Sequence, residues 1–303
     1  MIVQTAPISG AMTALITPFR DGAVDLPALR RLVEFQIEHG ISALIPCGTT
    51  GETPALTERE ADLVIATVAE TAAGRVPVIA GSGSNGTAVA IERTRRAREL
   101  GADAALVVTP YYNKPTQDGL AAHFTAIADA VDLPIVLYNV PGRTGVNMAP
   151  ETILRLALHP RIIAVKEASG SIDQSSQITA DAPATFAVLS GDDSLTLPIM
   201  SVGGTGVVSV VSNILPGPVA ALVAAAAAGD FAAARRIHLD LFDLCRAMFC
   251  ETNPVPVKAA AAMLGLCRDE VRLPLAPLSE ASRRRVELAL DACSFVSART
   301  LAA

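Results

Sequence analysis

The stretch Arg161-Ile162-Ile163-Ala164-Val165-Lys166-Glu167-Ala168-Ser169-Gly170 is an aliphatic run that closes on one lysine and then on small residues. Apolarity without alternation marks a strand covered on both faces, as in a parallel sheet. A lysine ending such a strand either reaches water along its stem or sits desolvated, and a desolvated amine is placed to act as a nucleophile. Glu167 offers the amine a competing partner. Successive side chains on a strand point to opposite faces, however, so Glu167 is expected to face outward, toward the helices.

The same kind of run recurs on both sides of this one: Ala11 to Thr17, Ile41 to Cys47, Val76 to Ala80, Ala104 to Thr109, Pro134 to Tyr138, Phe186 to Ser190 and Gly206 to Val211. With Ile162 to Lys166 they make eight, spaced roughly 25 to 35 residues apart, the length of a strand plus a crossover helix. Eight such units favour a closed (β/α)8 TIM barrel over an open sheet, because closure leaves no edge strand to protect. Helical patterns fill the intervals. Leu26 to His39 stops at Gly40, Thr57-Glu58-Arg59-Glu60 reads as a capping box ahead of Ala61 to Ala73, Gly86 to Leu100 ends at Gly101, and Gln117 to Ala130 follows the fourth run. From Leu215 onward every signal is helical, with a passage at Asn253 to Lys258 expected to break the pattern. The expected organisation is a catalytic barrel over residues 1–214 and a C-terminal helical region over 215–303, serving as a cap or an oligomerisation layer.

Composition excludes several classes. A net charge of -6 over 303 residues supplies no basic stripe for a nucleic acid. Five cysteines without a Cys-x-x-Cys pair argue against a disulfide framework and against zinc, and point to a reducing compartment. Met1 to Pro7 does not read as a signal peptide, and the alanine-rich Val219 to Ala228 is too short to cross a bilayer. The expected setting is the cytoplasm, with no membrane partner.

In a barrel of this kind the chemistry sits at the C-terminal ends of the strands. The second run ends in Gly48-Thr49-Thr50-Gly51-Glu52, two hydroxyls and glycine-freed amides suited to a carboxylate. The fourth ends in Pro110-Tyr111-Tyr112, the fifth in Tyr138-Asn139-Val140-Pro141-Gly142-Arg143, and the sixth in Lys166, so all three tyrosines of the chain stand at strand ends. A phenol relays protons, a lysine forms an imine with a carbonyl, and an arginine grips a carboxylate. Together they describe carbon–carbon chemistry on an oxo acid. The G-x-G-x-x-G pattern Gly81 to Gly86 lacks an acidic residue after the next strand to hold a ribose, so its glycines are assigned to a tight strand-end turn. The four histidines lack metal-ligand spacing, and the Asp192-Asp193 pair is assigned to helix capping rather than to a metal.

These motifs, with Ser190-Gly191-Asp192-Asp193 and Asn253-Pro254-Val255-Pro256-Val257-Lys258, resemble the pyruvate-dependent class I aldolases of the dihydrodipicolinate synthase and N-acetylneuraminate lyase family, from about Gly10 to the last helix. The resemblance implies a Schiff base between Lys166 and pyruvate, and attack of the enamine on L-aspartate 4-semialdehyde in lysine and diaminopimelate synthesis. It further implies a proton relay of Tyr138, Thr49 and Tyr112, with Tyr112 crossing to the neighbouring active site of a homotetramer. Pyruvate would be held by Thr50 and the backbones of Gly191 and Val208, and the second carboxylate by Arg143. No cofactor and no metal are implied. Arg143 and the Gly48-Thr49-Thr50 loop favour the synthase branch, with an aldolase or dehydratase of sugar acids as the alternative. Relatives inhibited by lysine hold it with histidines and a glutamate, where this chain has Glu58, Ala61 and Val89 beside Asn85 and Tyr111, so lysine regulation is expected to be weak or absent.

Overall fold

Each of the eight apolar runs overlaps a strand in the computed structural model, which describes residues 8–296, so that Met1 to Pro7 lie outside it. The strands are β1 (Gly10–Ala14), β2 (Ala43–Ile45), β3 (Ile79–Gly81), β4 (Ala104–Val108), β5 (Ile135–Asn139), β6 (Ile162–Glu167), β7 (Ala187–Ser190) and β8 (Gly206–Ser209). All pair in parallel, in the order β2-β1-β8-β7-β6-β5-β4-β3. The ring closes where Leu44 bridges Val78, with Leu44 N donating to Pro77 O at 2.9 Å and Gly81 N to Pro46 O at 2.9 Å. The chain is a (β/α)8 barrel.

Side-chain parity sorts each strand between two cores. Met12, Ala14, Ala43, Leu106, Val136 and Ala164 point into the barrel, where small residues let the layers fill without a pore. Val107, Leu137, Val165 and Val188 point out and pack with Phe124, Ile153 and Ile178 of the helices. One irregularity matters for the site. The register between β5 and β6 shifts at Ile135/Val136, so that Ile163 is an extra residue of β6, and above it Tyr138 pairs with Lys166 and Asn139 with Glu167.

The crossover helices follow their caps. Helix α1 (Leu26–Glu38) stops before Gly40, which takes a left-handed φ of 80°. Helix α2 (Glu58–Ala72) carries both halves of the capping box between Thr57 and Glu60. Helices α3 (Thr87–Glu99) and α4 (Gln117–Ala130) fall where periodicity predicts them. The shorter α5 (Pro150–Ala157), α6 (Ile172–Asp181) and α7 (Thr196–Ser201) complete the inner units. These three, and a hairpin pairing Phe19–Arg20 with Ala23–Val24, have segments too short for a periodic signal.

After β8 come α8 (Pro216–Ala227), α9 (Phe231–Ala247), α10 (Val255–Met263) and α11 (Glu280–Ala292). The Asn253 to Lys258 passage does not break a helix; it opens α10, whose proline near the N-terminus needs no intrahelical amide partner. The C-terminal helices share one apolar cluster with the barrel wall, running from Leu15 and Ile16 through Val211 to Val257 and Leu290. That shared core brings the start of α10 to the end of the barrel where the strands finish.

Candidate active site

Lys166 and Tyr138 are both buried, and the Lys166 Nζ stands 4.2 Å from the centroid of the Tyr138 ring. Their placement follows from parity: Ala164 and Val136, two residues below them, lie in the barrel interior. Glu167 faces the other way, as expected. Its carboxylate accepts from Asn139 Nδ2 at 3.1 Å, Gln174 Nε2 at 2.8 Å and Ser169 N at 2.7 Å, so it is satisfied outside the barrel and does not pair with Lys166. Gly191 lies directly against the lysine: a Cβ there would stand 2.6 Å from Ala168 Cβ and 3.2 Å from Lys166 Cγ. Its N–H already donates to Glu167 O at 2.7 Å, leaving its carbonyl as the group that can face a ligand. Val208 is buried in the same interior cluster as Tyr138.

A second group forms on the loop after β2. Cys47 and Glu52, both with φ of 55°, bracket Gly48 to Gly51 in a left-handed conformation that costs a non-glycine residue roughly 1–2 kcal/mol. The loop is tied down along its length. Thr53 Oγ1 donates to Gly48 O at 2.9 Å, Thr17 Oγ1 donates to Gly51 O at 2.8 Å, and Glu52 N closes the turn on Thr49 O at 3.1 Å. The Thr50 hydroxyl, buried, accepts from Asn253 Nδ2 at 3.0 Å, and Asn253 O accepts from Arg143 Nη2 at 3.4 Å. Thr50, Asn253 and the exposed Arg143 are therefore one linked group at the mouth.

Thr49 sits half-buried on the same loop. Tyr112 is not gathered with the others: it is 89% exposed, on a left-handed backbone with φ of 73°, and its neighbour Lys114 shares that conformation at 44°. Strained backbone at both loops is the pattern of positions fixed by their surroundings.

Two readings need correction. Asp192 does cap the turn that follows it, accepting from Ser194 N at 3.0 Å, but Asp193 is buried and holds the end of β8, accepting from Ser209 Oγ, from Val210 N at 2.8 Å and from Val211 N at 3.1 Å. Burial pushes its carboxyl up, against those hydrogen bonds. The glycines of Gly81 to Gly86 make no left-handed turn; they allow close approach, since a Cβ on Gly81 would fall 2.0 Å from Cys47 O and one on Gly83 2.5 Å from Val108 N. Among the described residues no group of three or more His, Cys, Asp or Glu side chains could hold a metal ion.

Three participants, Asn253, Glu52 and Lys258, carried no role in the sequence. Asn253 stood inside a quoted motif, and its contact with Thr50 spans 203 positions. Glu52 and Lys258 form an ion pair at 2.6 Å with both side chains wholly buried. A signal was present in principle: the chain has only three lysines, Lys114, Lys166 and Lys258. Burial pushes the Lys258 ammonium down, and Glu52 opposes it.

Known proteins resemble this chain in sequence and in fold. A family model described as the dihydrodipicolinate synthetase family matches residues 7–293. A 4-hydroxy-tetrahydrodipicolinate synthase of Thermomicrobium roseum is 59% identical over 94% of this chain and 95% of its own. A chloride-inhibited dihydrodipicolinate synthase from Acinetobacter baumannii, solved with pyruvate, is 44% identical, with a TM-score of 0.93 over 95% of this chain and 99% of that one. The enzyme from Cyanidioschyzon merolae, solved with lysine bound, is 43% identical, with a TM-score of 0.92 over 95% and 98%.

Proposed function

This chain belongs to the dihydrodipicolinate synthetase family, and on that footing we propose that it is a 4-hydroxy-tetrahydrodipicolinate synthase, condensing pyruvate with L-aspartate 4-semialdehyde in amino-acid biosynthesis. The observation that carries the reading is the Lys166–Tyr138 pair, a buried amine and a phenol on adjacent strand ends, with the Thr49-Thr50 loop following another strand at the same end of the barrel.

The amine of Lys166 adds to C2 of pyruvate, and loss of water gives an imine, for which Tyr138 carries a proton to the departing oxygen. The imine withdraws electrons, so a C3 proton leaves and an enamine forms. The enamine C3 then attacks the aldehyde carbon of the semialdehyde, and its oxygen takes up a proton through the Tyr138 and Thr49 hydroxyls. Finally the amino group of the acceptor attacks C2, closes the ring and releases the lysine. The Thr50 hydroxyl donates to the pyruvate carboxylate, the backbones of Gly191 and Val208 flank the bound pyruvate, and Arg143 at the mouth holds the carboxylate of the semialdehyde. The protons delivered to the reacting oxygens pass through neutral hydroxyls, so no added charge competes with the imine.

Tyr112 completes the relay from a neighbouring copy, which its 89% exposure in a single chain supports. The assembly is a homotetramer of two tight dimers in the cytoplasm. All five cysteines are free, as in a reducing compartment, and among the described residues no helix is long and apolar enough to cross a membrane. Reduction with borohydride in the presence of pyruvate tests the chemistry: one covalent pyruvate adduct on Lys166 is expected, and its absence would falsify the Schiff base. Comparing turnover of aspartate semialdehyde with that of sugar acids tests the acceptor.

A further inference from the structure

We propose that the buried Glu52–Lys258 pair is a positioning pair for pyruvate binding, by which helix α10 fixes the loop that presents Thr49 and Thr50. The inference rests on the function proposed above.

Lys258 is wholly buried, and all its contacts are local to one tie. Its Nζ donates to Glu52 Oε1 at 2.6 Å and to Thr17 O at 2.9 Å, and stands 4.1 Å from the centroid of the Phe19 ring. A buried ion pair is a poor source of stability relative to apolar packing, and fixing one conformation is its better attested use. What this pair fixes is visible. Glu52 ends the Thr49–Glu52 turn in a left-handed conformation, and its carboxylate is gripped from two sides, by Lys258 on Oε1 and by Arg272 N at 3.0 Å on Oε2. Thr17, whose carbonyl receives Lys258, also donates its hydroxyl to Gly51 O. The segment leading into the same helix supplies Asn253, which holds the Thr50 hydroxyl directly. The start of α10 thus holds the loop on both sides of Gly51, at Thr50 and at Glu52, and Gly51 has no side chain to resist displacement.

Neither Glu52 nor Lys258 touches the reacting atoms, so their loss is expected in ground-state alignment of pyruvate. The test uses Glu52→Gln, which keeps the shape and removes the charge, and the double variant Glu52→Gln/Lys258→Met, which leaves no buried charge alone. Melting temperature, pyruvate KM, semialdehyde KM and kcat are measured for each, after borohydride trapping of the wild-type protein with pyruvate. A positioning pair predicts that the double variant melts within a few degrees of wild type while its pyruvate KM rises about tenfold, the scale of one misplaced hydrogen bond. Semialdehyde KM is expected to stay within about threefold of wild type, and kcat to fall along with pyruvate binding, because the same loop carries Thr49 of the relay. A folded double variant with wild-type pyruvate KM overturns the proposal, and so does failure of both variants to fold, which would assign the pair to stability alone. A wild-type protein that traps no pyruvate instead removes the functional reading itself.

Discussion

The Lys166 amine lies 4.2 Å from the centroid of the Tyr138 ring because the two residues are direct partners on adjacent parallel strands, with Asn139 and Glu167 paired one step further on the outside. The inner pair is the one proposed to carry the chemistry, while the outer pair is joined by a hydrogen bond from Asn139 Nδ2 to Glu167.

Replacing Lys166 with methionine keeps most of the buried volume and removes the nucleophile. The borohydride-trapped pyruvate adduct is expected to vanish, and kcat to fall by at least ~10³-fold, the scale of losing a covalent catalyst. Whole-protein mass after reduction checks the first, and a coupled assay the second. An adduct that persists on the variant removes Lys166 from the mechanism.

Tyr138→Phe retains the ring against the lysine and removes only the hydroxyl. A proton-relay role predicts a loss of ~10²–10⁴-fold in kcat with pyruvate KM nearly unchanged. Loss in KM alone would make the phenol a binding group.

Arg143→Ala removes the guanidinium whose Nη2 reaches Asn253 O at 3.4 Å. If it grips the acceptor's carboxylate, semialdehyde KM is expected to rise roughly 10- to 100-fold, the range of a charged hydrogen bond. Trapping of pyruvate is expected to be unaffected. A variant defective in trapping would move Arg143 to the pyruvate site.

Stability is expected to fall in acid in two stages. Burial holds His123 down to about 4 from 6.5, so the unfolded chain binds its proton first and stability declines as pH drops from 6.5 toward 4. The hydrogen bond from Arg272 holds Glu60 down to about 2 from 4.5, so that contribution is present above 4.5 and lost as pH falls through that range. His123→Asn should flatten melting temperature against pH in the upper window only, and Glu60→Gln in the lower. An unchanged upper slope in His123→Asn would rule out the imidazole as its source.

Lysine as an effector is expected to act weakly. Glu58 and Val89 are exposed and Ala61 is half-buried; the three offer one carboxylate and no imidazole with which to hold an ammonium. Initial rates should be unchanged at lysine concentrations below about 1 mM, an affinity of only ~4 kcal/mol. Strong inhibition in that range would contradict the expectation.

How far the sequence could be read depended on how local each signal was. The eight strands were legible because each is apolar on both faces, and Glu167 was correctly turned outward by the two-residue period alone. The capping box of α2 and the glycine stop of α1 were legible for the same reason. The Glu52–Lys258 tie was not, because its members lie 206 positions apart and meet only through packing of α10 against the barrel. Asp193 was assigned to a local cap when its partners, Ser209 to Val211, come from the next strand. The glycines of Gly81 to Gly86 were misassigned because a close approach to another strand leaves the same trace as a turn.

The scarcity of lysine has one more consequence. Lys166 and Lys258 are enclosed, and Lys114, on the exposed loop beside Tyr112, is the remaining side-chain amine of the chain. In the single chain, acylating, cross-linking or surface-coupling reagents that seek lysine therefore have one exposed side-chain target, on the loop after β4 at the C-terminal end of the barrel. Arginine supplies the positive charge elsewhere on the surface. General amine labelling, ordinarily scattered and harmless, becomes on this protein a directed modification of its entrance.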